Sequence, residues 1–479
     1  MTATALGQDK SRFSKVLSWA LWDWGTQPYY TVITTFVFSV YIVSRPFAGG
    51  GDPNGPSVAL SVSTFLGGIA IALLAPVIGQ SDDRSGHTVR NLRWMTWAIA
   101  LISASLYFVA PEPAFLWLGL GLLVLGTVLG EIASVSYNSL LDRIANQKNI
   151  GKVSGFGWGM GYLGGIIVLL IILFGFVQPP DGLFGTAAAG ETPPGMFGVT
   201  STDMRIRVAM ILCGVWTLLF TIPIFLAIRD AKASVEKPER LGVLGSYKLL
   251  IRNIAHIWRT DRHTAYFLLA SALFRDGLAG VFTFGAVIGS TSFGFSTTEI
   301  IIFGAAANLI AGVVTILFGL VDDWLGPKRV ILICLAVIAL GSIAAFALHQ
   351  PGYALLPEDA GYDAAVAAQG HQLFWILGLT LSSFCGPAQA ASRSFLARVI
   401  PKGHSGEIFG LYTTTGRVIS FVTPLLFTVL VMAGAAQTGN EAAAQHWGLL
   451  AIAAVLIAGF AVMLPVKERS DFGVGNPEG

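Results

Sequence analysis

Long apolar runs, interrupted at short intervals by charged and by glycine- or proline-bearing turns, dominate the hydropathy pattern of this chain. A bilayer core about 30 Å thick is crossed by roughly 20 apolar residues in helical form. On that criterion the pattern predicts twelve crossing helices, near 16–43, 57–79, 94–110, 114–138, 153–177, 206–228, 265–290, 298–321, 329–348, 371–396, 406–434 and 446–465. The first run opens behind Lys10, Arg12 and Lys15, as a secretion signal does. It is too long for one and is followed by many more spans, so it is read as the first crossing helix. Pro28 lacks the N–H that would bond back to Trp24, which predicts a kink five residues beyond Asp23.

Charge sorts the connections into two classes. One side carries Arg84, Arg90 and Arg93, then Arg143, Lys148 and Lys152, and later Lys328, Arg329, Arg398 and Lys402. The other carries mainly acids, among them Asp52, Glu112, Asp181, Asp203 and Glu299. The excess of basic residues marks the cytoplasmic side, which places both termini there. The longest connection, 229–264, divides the chain into an N-terminal bundle over 1–228 and a C-terminal bundle over 265–479. Within it Tyr247, Leu250, Ile251, Ile254 and Ile257 recur at helical spacing beside Lys248, Arg252 and Arg259. That pattern suits an amphipathic helix, lying either on the inner leaflet or on the protein's own cytoplasmic face.

Composition agrees: 54% of residues are hydrophobic and 12% charged, against about 25% charged in soluble domains. Cys213, Cys334 and Cys385 fall in apolar runs without metal-ligand spacing and read as small core residues, so no metal and no cofactor is expected. There is no phosphate-binding Gly-x-x-x-x-Gly-Lys-Ser/Thr loop and no extramembrane segment large enough for a catalytic domain, so an enzyme is not expected. The basic residues follow membrane topology, which leaves no nucleic-acid surface.

The two halves repeat each other. Gly79-Gln-Ser-Asp-Asp83-Arg-Ser-Gly86 recurs 240 residues later as Gly319-Leu-Val-Asp-Asp323-Trp-Leu-Gly326. Asn138 to Gly161 aligns without a gap on Arg393 to Gly416, at an offset of 255, and Ala20–Gly25 on Ala272–Gly277, at 252. Three ordered matches imply a six-plus-six duplication, hence an all-α membrane protein of twelve helices in two pseudo-symmetric six-helix bundles, as secondary transporters are built.

The doubled Gly-x-x-x-Asp-x-x-Gly loop on twelve spans resembles the signature of the major facilitator superfamily, over nearly the whole chain. Ala20-Leu-Trp-Asp-Trp, Tyr137-Asn-Ser-Leu-Leu, Val153-Ser-Gly-Phe-Gly-Trp158, Gly386-Pro-Ala-Gln-Ala-Ala-Ser-Arg393-Ser and Gly410-Leu-Tyr412 resemble its vacuole-effluxer, autophagy-related branch and the bacterial relatives. Departures are His87 and the Trp324-Leu325 pair where the loop signature is basic, Arg275 where relatives more often carry a neutral residue, and Gly25-Thr-Gln-Pro-Tyr in the opening motif. The resemblance implies a cytoplasmic gate at Gly79, Asp83, Arg84, Gly86, Gly319, Asp323, Gly326 and Arg329. In it Asp83 faces the start of the eleventh span near Gly406, and Asp323 the start of the fifth near Gly151. It also implies amino-acid-like cargo.

Charges inside apolar spans are costly and read as functional candidates. Asp23, Glu131, Arg275, Asp276 and Arg417 are therefore the candidate substrate or coupling residues. Arg275 and Asp276 lie about 15 Å into the seventh span at the helical rise, and Arg417 at a similar depth in the eleventh; mutual neutralisation of the three is the plainer alternative. Trp22, Trp24, Trp158, Asn308 and Gln389 are cavity-lining candidates, with aromatic packing and interhelical hydrogen bonding as their structural alternatives. The expectation is a secondary transporter in a bacterial inner membrane, moving a small polar solute by alternating access, with proton coupling through Asp23, Glu131 or Asp276 as a hypothesis. Rival readings are a drug or organic-anion exporter, using Arg275 and Arg417, and a membrane scaffold or sensor without transport. The expected partners are a small-molecule substrate, protons if coupled, and the lipid bilayer; a monomer is compatible with the sequence.

Overall fold

The computed structural model describes residues 3–186, 193–230, 262–348, 364–400, 403–439 and 444–467, with isolated positions at 245, 247, 248, 252 and 259. Most of the amphipathic segment expected over 247–257 lies outside the described residues. Every regular element among those described is helical. The long helices are α1 Ala3–Gln27, α2 Gly55–Ser85, α3 Thr88–Ser105, α4 Leu116–Ser139, α5 Ile150–Ile172, α6 Thr202–Ala227, α7 Arg262–Ser292, α8 Thr297–Leu325, α9 Pro327–Ala347, α10 Ala364–Val399, α11 Ser405–Ile419 and α12 Gly448–Met463. A further helix, Val422–Thr438, continues α11 after a two-residue break.

Among the described residues ten stretches, within or around α2 and α4 to α12, are long and apolar enough to cross a membrane. The expected first and third spans are helical but fall short. The first half of α1 is polar, with Gln8, Asp9, Lys10, Arg12 and Lys15. Its apolar part changes at Pro28 into a π-helical stretch, Pro28–Phe36. The proline at which a kink is expected thus marks a change of helix type. Meanwhile α3 opens with Arg90, Asn91 and Arg93.

Local chemistry fixes the helix ends. Gly86 ends α2 in the left-handed conformation (φ 70°), its N–H returning to the Asp82 carbonyl at 3.0 Å. At the repeated position Gly326 (φ 87°) returns to the Asp322 carbonyl at 2.9 Å, and Pro327 opens α9 at once. Ser296 and Glu299 form a reciprocal capping box at the start of α8.

The chain separates into two compact units. One comprises Met1–Ile144 with Met160–Glu239, the other Ala145–Gly159 with Arg240–Gly479, so the boundary cuts through α5 between Gly159 and Met160. In the first unit α1 packs on α6, α6 on α3, α3 on α4 and α4 on α2. The second repeats this scheme six helices later: α7 on α12, α12 on α9, α9 on α10 and α10 on α8. The outer faces of the equivalent helices α2 (Val62, Phe65, Leu66, Ile69) and α8 (Val313, Leu317, Leu320) leave large apolar side chains exposed, a surface suited to lipid rather than water.

Candidate functional site

The acid doublet at the end of α8 organises the second unit. Asp322 and Asp323 lie inside the last helical turn, which runs to Leu325, rather than in the turn beyond it. Successive helix residues point about 100° apart, so the two carboxylates serve different partners. Asp323 turns to the start of α5, accepting from the Gly151 N–H at 2.8 Å and the Lys152 N–H at 3.0 Å. A carboxylate is favoured there because a helix N-terminus carries unpaired donors and partial positive charge. Asp322 turns to α10 and accepts from the Ser394 hydroxyl. Arg398 clamps both acids, with Nη2 3.0 Å from Asp322 Oδ1 and 3.0 Å from Asp323 Oδ1.

Glycines bring α5 and α8 together. A methyl placed on Gly155 would lie 2.7 Å from the Thr315 carbonyl oxygen and 2.8 Å from the Cα of Gly319, so only backbone fits at this crossing. One turn earlier than Trp158, Ser154 donates to the Ala390 carbonyl at 2.7 Å. The buried Arg393 donates through Nε to Ser154 Oγ (3.0 Å) and through Nη2 to its carbonyl (2.6 Å), while its guanidinium lies 5.0 Å from the Trp158 ring. Trp158 is therefore an arginine platform. Asp322, Ser394, Ser154 and Arg393 were not among the candidates; the doubled Asp-Asp could have marked Asp322, and the Ser-x-x-x-Arg repeated at 139–143 and 394–398 could have marked Ser394.

The first unit uses its doublet differently. Asp82 is fully buried and accepts from Ser136 Oγ at 2.5 Å and Asn91 Nδ2 at 2.6 Å, tying α2 to α4 and α3. Asp83 and Arg84 are half-buried, while Gly79 and Gly86 are buried. Arg143, the repeat partner of Arg398, donates to Thr88 Oγ1 at 3.1 Å. In the second loop Gly319 is buried and Arg329 exposed.

Near the ends of α1 and α4, Asp23 accepts from the Tyr137 hydroxyl at 2.8 Å. The Tyr137 ring is held between Trp19 and Trp22, at centroid distances of 4.4 and 4.3 Å. Trp22 is buried and donates to Thr96 Oγ1 at 2.9 Å. Trp24 stacks on Trp216 at 6.1 Å. Glu131 on α4 is half-buried.

On α7 the neighbours Arg275 and Asp276 part company. Asp276 is buried and accepts from the Thr423 N–H at 2.6 Å, capping the helix that resumes after the α11 break. Arg275 donates from Nη1 to the Tyr412 carbonyl at 3.0 Å and lies over the Tyr412 ring, 3.9 Å from its centroid. Mutual neutralisation of Arg275 by Asp276 is therefore not what the structure shows. Arg417 is half-buried, one residue past Gly416, which faces the Arg275 guanidinium. Asn308 donates back to the Gly304 carbonyl of its own helix at 2.8 Å, and Gln389 is half-buried. Among the described residues no group of His, Cys, Asp and Glu side chains is arranged to hold a metal ion.

Residues 142–471 match the family described as vacuole effluxer Atg22 like. The uncharacterized MFS-type transporter YxiO of Bacillus subtilis is 24% identical over 462 residues, covering 96% of each chain. Autophagy-related protein 22-1 of Neosartorya fischeri is 24% identical over 297 residues, 58% of this chain but only 43% of the fungal protein, so the match spans less than half of that relative. Among solved structures, the proton:xylose symporter XylE superposes with a TM-score of 0.68 at 14% identity, covering 96% of this chain and 97% of that one. The human organic anion transporter MFSD10 gives 0.62 at 14% identity, covering 94% and 99%. Likeness at these identities is one of fold.

Proposed function

Because the chain belongs to the vacuole effluxer Atg22-like family, we propose that it is a secondary transporter working by alternating access. The observation that carries this reading is the polar seam at Asp322 and Asp323. In an otherwise apolar bundle, two carboxylates, one guanidinium and two backbone N–H groups join the ends of α5, α8 and α10. Such charge-assisted bonds hold a helix end firmly yet exchange readily for water, unlike packed apolar side chains. The Gly-x-x-Asp-Asp-x-x-Gly frame stands 240 residues earlier as well, although the first unit uses its doublet differently.

In this reading the chain crosses the membrane twelve times, as bundles 1–228 and 265–479 joined by 229–264, with both termini in the cytoplasm of a bacterium. The gate residues are those of the two glycine-flanked loops. The solute is small and polar, with amino-acid-like cargo favoured by the resemblance to the vacuolar exporters. Asp23, Glu131, Arg275 and Arg417 are the substrate or coupling groups, and Asp276 supports them by holding the α11 break.

Reconstitution into liposomes with labelled amino acids, sugars and organic acids, with and without an imposed pH gradient, tests the proposal. At least one solute is expected to move, and its flux to drop at least tenfold in Asp323→Ala. A negative panel with correctly inserted protein would falsify the reading. Proton coupling is tested apart, through Asp23→Asn and Glu131→Gln. If both variants keep the wild-type response to the pH gradient, coupling does not run through these acids.

A further inference from the structure

Arg275 is a cation deep within an apolar helix, and among the described residues no carboxylate forms an ion pair with it. It stands thirteen residues into α7, about 20 Å along the helix at the α-helical rise. The acid beside it in sequence, Asp276, turns instead to the Thr423 N–H. A guanidinium at this depth is costly unless an anion meets it.

The site around the guanidinium is built rather than incidental. Tyr412 takes one of its five N–H donors through the backbone carbonyl and supports its face with the aromatic ring. That ring is itself fixed from behind, since the Tyr412 hydroxyl is 2.9 Å from the hydroxyl of the buried Ser392 on α10. Gly416 gives the guanidinium its room: a methyl there would lie 3.0 Å from Arg275 Nη1 and 3.3 Å from Cζ. The result is a half-buried, pre-oriented fork with donors to spare.

We propose that Arg275 is the carboxylate-reading residue of the transported solute, pairing its free N–H edge with an acid group while Tyr412 and Gly416 hold the fork in place. This rests on the transporter reading above. It specifies the cargo by chemistry: the solute bears a carboxylate, as both amino acids and simple organic acids do. A planar guanidinium binds a carboxylate through two parallel hydrogen bonds, which an ammonium cannot reproduce. The side chain is thus a recognition element and not merely a staple between α7 and α11.

The test uses the purified full-length protein in detergent. Thermal unfolding is followed with L-amino acids and simple mono- and dicarboxylates, each compared with its own amide or methyl ester. At least one acid is expected to raise the midpoint by a few degrees while its amide does not, because only a ligand bound to the native state stabilises it. Arg275→Gln is expected to abolish the preference, and Arg275→Lys to retain part of it with at least a tenfold weaker half-saturation. The wild-type comparison of acid with amide stands even if a variant folds poorly. Equal stabilisation by acids and amides, an undiminished preference in Arg275→Gln, or no acid that stabilises the wild type each overturns the inference. The transporter reading falls separately, only if the liposome panel is negative for neutral solutes as well.

Discussion

At Asp322 one buried carboxylate meets a serine hydroxyl on one side and a guanidinium on the other. Removing it in Asp322→Ala strands the Ser394 hydroxyl and leaves Arg398 with Asp323 alone, a loss expected to cost about 2–3 kcal/mol. A lowered unfolding midpoint in detergent measures it. Asp323→Asn keeps one acceptor oxygen, for the Gly151 or the Lys152 N–H but not both, and loses charge assistance; it is expected to destabilise by about 1–2 kcal/mol. The opposite order of the two variants would show that the roles have been exchanged. In the first unit, Tyr137→Phe keeps both tryptophan contacts and removes the hydroxyl that meets Asp23, an expected loss of about 1 kcal/mol. This scale was the least legible in the sequence. The duplicated doublet marked the place, but which acid faces which helix depends on a rotation of about 100° between neighbours. Tyr137, likewise, meets Asp23 across 114 residues of chain, a pairing no local pattern encodes.

The elements show how the same scaffold is pinned by different chemistry. The start of α3 is tied to the end of α6 through Asp230, which accepts from the Val89 and Arg90 N–H groups at 2.7 and 3.2 Å. The equivalent α9 is tied to the end of α12 by Lys328, donating to the Leu464 carbonyl at 2.7 Å. Where backbones meet at Gly155 and Gly319, size decides. Gly155→Val is expected to spread α5 from α8 and to cost about 1–3 kcal/mol, read as a lower midpoint and faster amide exchange at Gly151 and Lys152. Asp276→Ala removes the acceptor at the start of Val422–Thr438, for an expected loss of about 1 kcal/mol. Helix positions were well announced by hydropathy, as 206–228 against Thr202–Ala227 shows. The break in α11 was not, because a broken helix in an apolar run keeps its composition and reveals itself only where a distant acid caps it.

On the scale of the molecule, the repeated neighbour scheme was foreshadowed by the three ordered sequence matches, since equal residues at equal offsets fold into equal contacts. The sequence could not show that the boundary between the compact units runs through α5 instead of along a connection. Hydropathy sees one uninterrupted apolar run there, and unit membership is decided by glycine crossings and buried arginines on other helices.

That boundary bears on how the chain is made. Ala145–Gly159 leaves the ribosome long before α8 and α10, the helices against which it packs. Through that interval the donors of Gly151 and Lys152 await a carboxylate not yet synthesised. A polypeptide beginning at 240 lacks the segment that engages Arg393 and Asp323, so it is expected to be degraded when expressed alone. Co-expression with 1–239 should restore it, and so, in part, should a membrane-inserted copy of 145–172 supplied as a third piece. Immunoblotting of the membrane fraction decides the matter: a stable 240–479 fragment on its own would show that the second half assembles without borrowing from the first.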